Sequence, residues 1–466
     1  MSSDLTQGSI KKHLRSIAIP SSIGYFFHTM FNVTDTFFAG EISTQAIASL
    51  SLTFSIFFII IAIAGGMSQG ATALIGNAIG EKKTDEAKQI ILHILFFALS
   101  IALVITTIGI FSAPYLMQIL GAKDEYLLEA LSYIDIILFG AVFYVGVFFT
   151  NALLNSLGNT KAFRNFLVVG FFLNIVLDYW FIKGGLGIEP MGVRGIGYAT
   201  IIIEFLGFIY LFSVLKKTYL LQNMPTFKFD KNIIFEFFKQ GTPPTINMLL
   251  MALGMFIITY YISDFGKEVV AAYGIAIRIE QIFLLPSIGI NVAVLAIISQ
   301  NNGAKLYDRV KETVIYAQKV GFILWIIGIV FLLVFGRQLL GLFSSDAKVI
   351  DAGMGYLYAA ASSMYAYMLV FINISLLQGI KQPALLIYLS LFRQLLVPVA
   401  LFSLFNFLNL SLGYYWFGLV VIIWSSAIFI VYYARKKLIL LRASLKTLIS
   451  SEPKREVRLC RSFFES

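Results

Sequence analysis

The chain has 466 residues, of which 59% are apolar and only 13% charged, with a mean hydropathy of +0.85 and a formal net charge of +10. A soluble chain of this size would carry about a quarter charged residues, so this composition excludes an ordinary water-soluble enzyme or binding module. A single cysteine, Cys460, excludes an internal disulfide and any cysteine metal cage.

A bilayer core takes about 20 mostly apolar residues per helix. Twelve such stretches follow in chain order: 14–39, 45–78, 90–116, 125–156, 162–183, 192–215, 234–263, 268–302, 313–336, 347–379, 384–407 and 411–434. The reading is an all-α polytopic membrane protein with twelve transmembrane helices. The second and eighth stretches exceed a simple span and are expected to run on beyond the membrane. Pro20 removes a backbone bond from the first helix and is expected to bend it. In the second, Gly65, Gly66 and Gly70 allow close approach or hinging. Residues 222–229, polar and carrying Pro225, separate the first six spans from the last six. The expected organisation is an N-terminal lobe over 1–220, a C-terminal lobe over 221–435 and a basic tail over 436–466. In the tail Leu438, Leu441, Leu445 and Leu448 recur at helical spacing among Lys437, Arg442 and Lys446, a pattern suited to a helix lying on an anionic leaflet.

The two halves are copies. A shift of about 223 residues lays Gly66 on Gly289, Ala73 on Ala296, Gly80 on Gly303, Lys82 on Lys305 and Asp85 on Asp308. The same gapless shift lays residues 153–161 on 376–384. Each copy has six spans, so corresponding helices run the same way through the membrane. The repeat is parallel, about an axis along the membrane normal, a common plan for secondary transporters.

Lysine and arginine gather at one set of ends: Lys11, Lys12 and Arg15, then Lys82, Lys83 and Lys88, Lys161 and Arg164, Lys216 and Lys217, and Lys305, Arg309 and Lys311. By the positive-inside rule both termini are cytoplasmic. The positive charge reflects this bias and the tail, so no nucleic-acid partner is expected. No cleavable signal peptide is read, because the first apolar stretch is span-length and lacks a small-residue cleavage site. The expected location is a cell inner (plasma) membrane, crossed many times.

Ionisable groups inside spans are costly and usually face a cavity. His28, Asn32 and Asp35 share one face of the first helix, and Asn174 and Asp178 share one face of the fifth. Thr200 begins the polar side of the sixth. Two carboxylates, an amide and a hydroxyl can form an oxygen cage for a monovalent cation or a proton. Each is also readable as a hydrogen bond between helices, Asn174 and Thr200 more readily than the two acids, and spacing alone does not bring these three helices together. Asp135 and Glu204 are further candidates for the cleft. Arg278 and Glu280, two residues apart, cannot pair with each other; each is read as half of a structural ion pair, and Arg393 stays ambiguous.

The chain resembles the multidrug and toxic compound extrusion (MATE) family over nearly all of residues 10–435. The resemblance is carried by VTDTFFAG at 33–40, NIVLDY at 174–179, GVRGIGYAT at 192–200, AAYGIAIRIEQ at 271–281 and QNNGA at 300–304. It implies two six-helix lobes in a V, exporting organic cations in exchange for H⁺ or Na⁺ by alternating access. It also implies a cation-coupling site formed by Asp35, Asn174, Asp178 and Thr200, with Asn151 as a weaker member. His28 and Asn32 would line the substrate path. Acids that some branches place in the seventh and tenth helices are missing here, which favours the DinF-like branch and an N-lobe site. No resident cofactor or metal is expected, H⁺ or Na⁺ being transported, and the expected partners are small organic cations and the bilayer, with the chain a monomer.

Two other readings stand beside this one. A flippase for lipid-linked sugars or other amphiphiles shares the superfamily plan, but would suit a basic cleft better than an acidic one. A membrane-embedded enzyme lacks support: there is no H-E-x-x-H, no G-x-S-x-G and no P-loop.

Overall fold

The computed structural model describes residues 4–119 and 121–451. Its helices are α1 (Ile10–Ile42), α2 (Thr44–Gly80), α3 (Thr84–Ile119), α4 (Asp124–Phe139), α5 (Ala141–Ser156), α6 (Lys161–Lys183) and α7 (Val193–Lys216). The second half contributes α8 (Lys231–Ile262), α9 (Lys267–Gly303), α10 (Tyr307–Gly341), α11 (Ala347–Gly379), α12 (Leu385–Leu391), α13 (Val397–Phe407) and α14 (Leu412–Ser451).

The twelve expected spans are all helical. Ten helices or helix runs are long and apolar enough to cross a bilayer, and α4 with α5 makes an eleventh, bent by 47°. The bend falls at Gly140, and the Leu138 carbonyl beside it accepts the Thr106 hydroxyl at 2.6 Å, so the interruption leaves that carbonyl satisfied. The twelfth span is α1, 33 residues long, whose His28, Asn32 and Asp35 dilute its apolar character. It continues through Pro20 as one helix. The run from α12 to α13 passes through a π-helical segment, Phe392–Leu396.

Helices α1–α7 pack on one another, as do α8–α14, and the two lobes meet through α2 against α8, α1 against α9, and α2 against α9. Gly66 and Gly70 lie against Thr245 and Gly241 of α8, as close approach required. The repeat is visible in the contacts themselves. Asn77 donates from Nδ2 to the Gly379 carbonyl at 2.9 Å, and Gln300 donates from Nε2 to the Ser156 carbonyl at 2.6 Å. Asn77 matches Gln300 in the repeat, and Ser156 matches Gly379, so one bond is the other turned about the pseudo-two-fold axis. Gly80 lies on the Gln300 carbonyl while its match, Gly303, lies on the Asn77 carbonyl, with no room for a Cβ at either.

This seam lies at the ends that carry the basic loops. Gln378 to Gln69 (3.1 Å), Asn302 to Asn77 (2.6 Å) and Arg309 to the Leu5 and Gly8 carbonyls (3.1 and 2.9 Å) complete it. Among the described residues, no side-chain hydrogen bond joins the lobes in the other half of the membrane. Gln300 also accepts the Leu5 amide at 3.0 Å. Gln300→Ala therefore strands two buried groups, Leu5 N–H and Ser156 C=O. It should cost about 2–3 kcal/mol, read as a lower apparent melting temperature of the detergent-solubilised protein. An unchanged melting temperature would show that the clamp does not hold the seam.

The connection between α7 and α8 straps across α3. Lys88 donates to the Asn223 carbonyl at 3.1 Å, and the Asp230 amide donates to His93 Nε2 at 3.0 Å. Beyond residue 435 the expected surface helix is instead the direct continuation of α14. Leu438 is buried in the C-lobe core with Leu441 packed beside it, Arg442 pairs with Asp308, and Lys437 sits over the Tyr433 ring. Packing against the C-lobe thus covers Leu438 and Leu441, while the side chains of Leu445, Lys446 and Leu448 lie outside the described residues. Cys460 lies outside the described residues.

Candidate functional site

Three helices that spacing alone leaves unconnected meet inside the N-lobe. Helix α1 packs along α6, pinned at one end by the Thr160 hydroxyl on the Ile17 carbonyl at 3.0 Å, and α6 packs along α7. This arrangement carries Asp35 to the face of α6 where Asn174 and Asp178 lie one turn apart. Asn174 is wholly buried and donates from Nδ2 to Asp35 Oδ1 at 3.1 Å and to Asp178 Oδ2 at 3.0 Å. One amide thus spends both of its protons on two carboxylates.

The balance of donors and acceptors is unequal. Asn174 Oδ1 and Asp178 Oδ1 are buried without a partner. Neither Asp35 nor Asp178 forms an ion pair among the described residues. Buried carboxylates are ordinarily paired or neutralised, and here the neighbours are an amide and a hydroxyl. Thr200, nearly buried on α7, spends its proton on the Ile196 carbonyl at 2.9 Å, leaving its oxygen free to accept, and it lies within reach of the Asp35 carboxylate. The arrangement is an oxygen-rich cluster with no basic side chain beside it. Among the described residues there is no cluster of three His, Cys, Asp or Glu, so the donors suit a proton or a monovalent cation better than a transition metal.

Not every expected residue joins the pocket. Asn151 is buried on α5 with its Oδ1 unpartnered, and it makes no hydrogen bond to the Asp35 group. His28 and Asn32 are half-buried on α1, linked by Asn32 Nδ2 to the His28 carbonyl at 3.3 Å, two turns and one turn from Asp35 respectively. Asp135 is half-buried on α4. Glu204 is buried on α7 with Oε2 unpartnered.

Two residues escaped the sequence reading. Tyr133 on α4 and Tyr144 on α5 are buried in the same lobe, Tyr133 within electrostatic range of Asp35 and Asp178, and Tyr144 of Glu204 and Asp35. The signal was present in the repeat, where the 223-residue shift lays Tyr133 on Tyr356 and Tyr144 on Tyr367. The C-lobe pair also frames ionisable groups. Tyr356 donates its hydroxyl to Glu280 Oε2 at 2.5 Å, and Arg393 lies over the Tyr367 ring, 5.8 Å from its centroid. The expected structural ion pairs for Arg278 and Glu280 are absent among the described residues, and Arg393, left open by the sequence, forms none either. Arg278 is exposed, and a tyrosine hydroxyl answers Glu280 in place of a cation.

Comparison with known proteins places this architecture. The profile of the MatE family matches residues 20–180 and again 243–402, one match per lobe. A relative from Thermotoga maritima, "Probable multidrug resistance protein NorM", is 27% identical, over 73% of this chain and 74% of its own length. "Multidrug export protein MepA" from Staphylococcus saprophyticus is 23% identical, over 94% of this chain and 97% of its own. The solved outward-facing conformation of a multidrug resistance MATE family transporter superposes with a TM-score of 0.88 at 25% identity, over 95% of this chain and 99% of the other.

Proposed function

From the premise that this chain belongs to the MatE family of transporters, we propose that it is an antiporter that exports amphipathic organic cations in exchange for H⁺ or Na⁺. The observation that carries this reading is the Asp35–Asn174–Asp178 group, two buried carboxylates sharing one amide with two oxygen acceptors left open. A cation entering that pocket offsets the buried negative charge. Its binding energy is thereby tied to the packing of α1 on α6, which is the coupling an antiporter needs. Thr200 adds an acceptor, and His28 and Asn32 line the path of the cargo along α1.

The basic ends face the cytoplasm of a cell whose inner membrane the chain crosses, with the lobes divided within the strap between α7 and α8. In that orientation the seam of Asn77, Gln300, Gly80 and Gly303 closes the cytoplasmic side. The absence of side-chain bonds across the lobes in the other half, among the described residues, supports an outward-open state. Release of the seam and closure of the far side would complete the cycle. The cargo class follows the names of the relatives and the acidic character of the N-lobe.

Purified protein in liposomes loaded with ethidium tests this. An imposed pH gradient or an imposed Na⁺ gradient should drive dye movement at least fivefold above protein-free vesicles, and the effective gradient names the ion. If neither gradient moves ethidium, the proposal fails and the amphiphile flippase becomes the better reading.

A further inference from the structure

Arg393 is the most anomalous side chain in the C-lobe. It is only 5% exposed, and its Nε and Nη1 are buried without an acceptor. It sits about 12 Å along the eleventh span from Leu385, at 1.5 Å per residue, so the aqueous phase at that end is not within easy reach. Arginine stays protonated in proteins. The charge is therefore fixed, buried and unmatched: among the described residues Arg393 makes no ion pair, and its one favourable contact is the face of Tyr367. Glu280, the acid whose charge also reaches Tyr367, is held by the Tyr356 hydroxyl.

The backbone adds a second sign. Arg393 lies within the π-helical segment Phe392–Leu396, the one such segment among the described residues. A π-turn spoils the regular backbone bonding and is retained chiefly where it aims a side chain for function. One turn earlier Ser390 donates to Asn247 of α8 at 2.7 Å, which fixes the segment and so the direction of the guanidinium. Tyr367 is half-buried, leaving part of its ring free.

We propose that Arg393 receives an anionic oxygen group of the cargo, so that this chain prefers aromatic zwitterions to simple cations. The inference rests on the transporter reading above and adds to it the charge of the second end of the molecule carried. Guanidinium selects planar oxyanions through charge-assisted hydrogen bonds, and Tyr367 offers an aromatic face beside it. The C-lobe arginine takes the anionic end of the cargo, with Tyr367, the repeat match of Tyr144, against it.

The matched probes are tetramethylrhodamine, a cationic dye with a free carboxylate, and its methyl ester, which keeps the cation and replaces the carboxylate charge by a methyl ester. Binding to the purified full-length chain is read by fluorescence anisotropy for wild type, Arg393→Gln and Arg393→Lys. We expect R393Q to weaken the free acid at least tenfold and the ester less than twofold, with R393K between. Should R393Q not elute as a single species, Tyr367→Leu supplies the second reading, with a three- to tenfold weakening confined to the acid. An acid-to-ester affinity ratio equal to that of wild type overturns the proposal, and so does a wild type that fails to bind the acid. If the ratio shifts as expected but no ion gradient drives transport, the antiport reading falls and the anion-receiving role of Arg393 stands.

Discussion

Asp35→Asn should abolish gradient-driven export of ethidium, with at least a tenfold loss of rate at equal protein level, while the protein remains folded. The change is nearly isosteric. The introduced carboxamide can still accept the Asn174 amide proton through its carbonyl oxygen, so the bond now 3.1 Å long has a replacement. What disappears is one of two buried ionisable carboxyls, neither of which a basic side chain offsets. Removing an unmatched buried charge tends to leave stability unchanged or raise it, so the melting temperature should not fall. Function should fall because the pocket no longer attracts its cation. For one-for-one exchange of equal charges the membrane potential does no work, and each pH unit supplies about 1.4 kcal/mol, a tenfold accumulation. That accumulation is what the variant forfeits. Wild-type transport by the variant, in the liposome assay with an imposed gradient, would show that Asp35 is a structural residue.

Gly303→Val should open the basic-end seam. A Cβ at Gly303 would collide with the backbone of Asn77, and its repeat match Gly80 is equally tight against Gln300. Backbone cannot swing aside as a side chain can, so α2 and α9 must part. Overpacking of this kind costs about 1–3 kcal/mol, or roughly 5- to 150-fold in the equilibrium between closed and open seams. The bonds Asn302 to Asn77 and Asn77 to Gly379 lie in the same contact and should loosen with it. Hydrogen exchange should report at least tenfold faster exchange in peptides around residues 77–83 and 300–306, while α6 keeps its protection. Unchanged protection at the seam would mean that the lobes do not separate there.

The helical fold and its duplication were legible before any coordinates, because lipid forces every backbone group into helices and makes apolar length readable. The Gly80–Gly303 and Asn77–Gln300 matches were likewise present as letters at a constant offset. The polar residues themselves were conspicuous, since Asp35, Asn174 and Asp178 stand alone in apolar surroundings. Tyr133 and Tyr144 were not, because tyrosine is ordinary in a chain with 23 of them. The sequence also misled where it invited pairing. Glu280 looked like half of an ion pair, yet it met a tyrosine hydroxyl.

Sequence alone determined that this is a twelve-span, two-lobed membrane protein with acids in its N-terminal half. Those properties depend on composition, length and period, which are local. Only the tertiary structure decided that α1, α6 and α7 bring Asp35, Asn174, Asp178 and Thr200 together, that the lobes close at the basic ends, and that Arg393 is buried without a counter-charge. Each of these is a relation between helices far apart in the chain, set by which faces pack, and no periodicity within one helix encodes the identity of its neighbour.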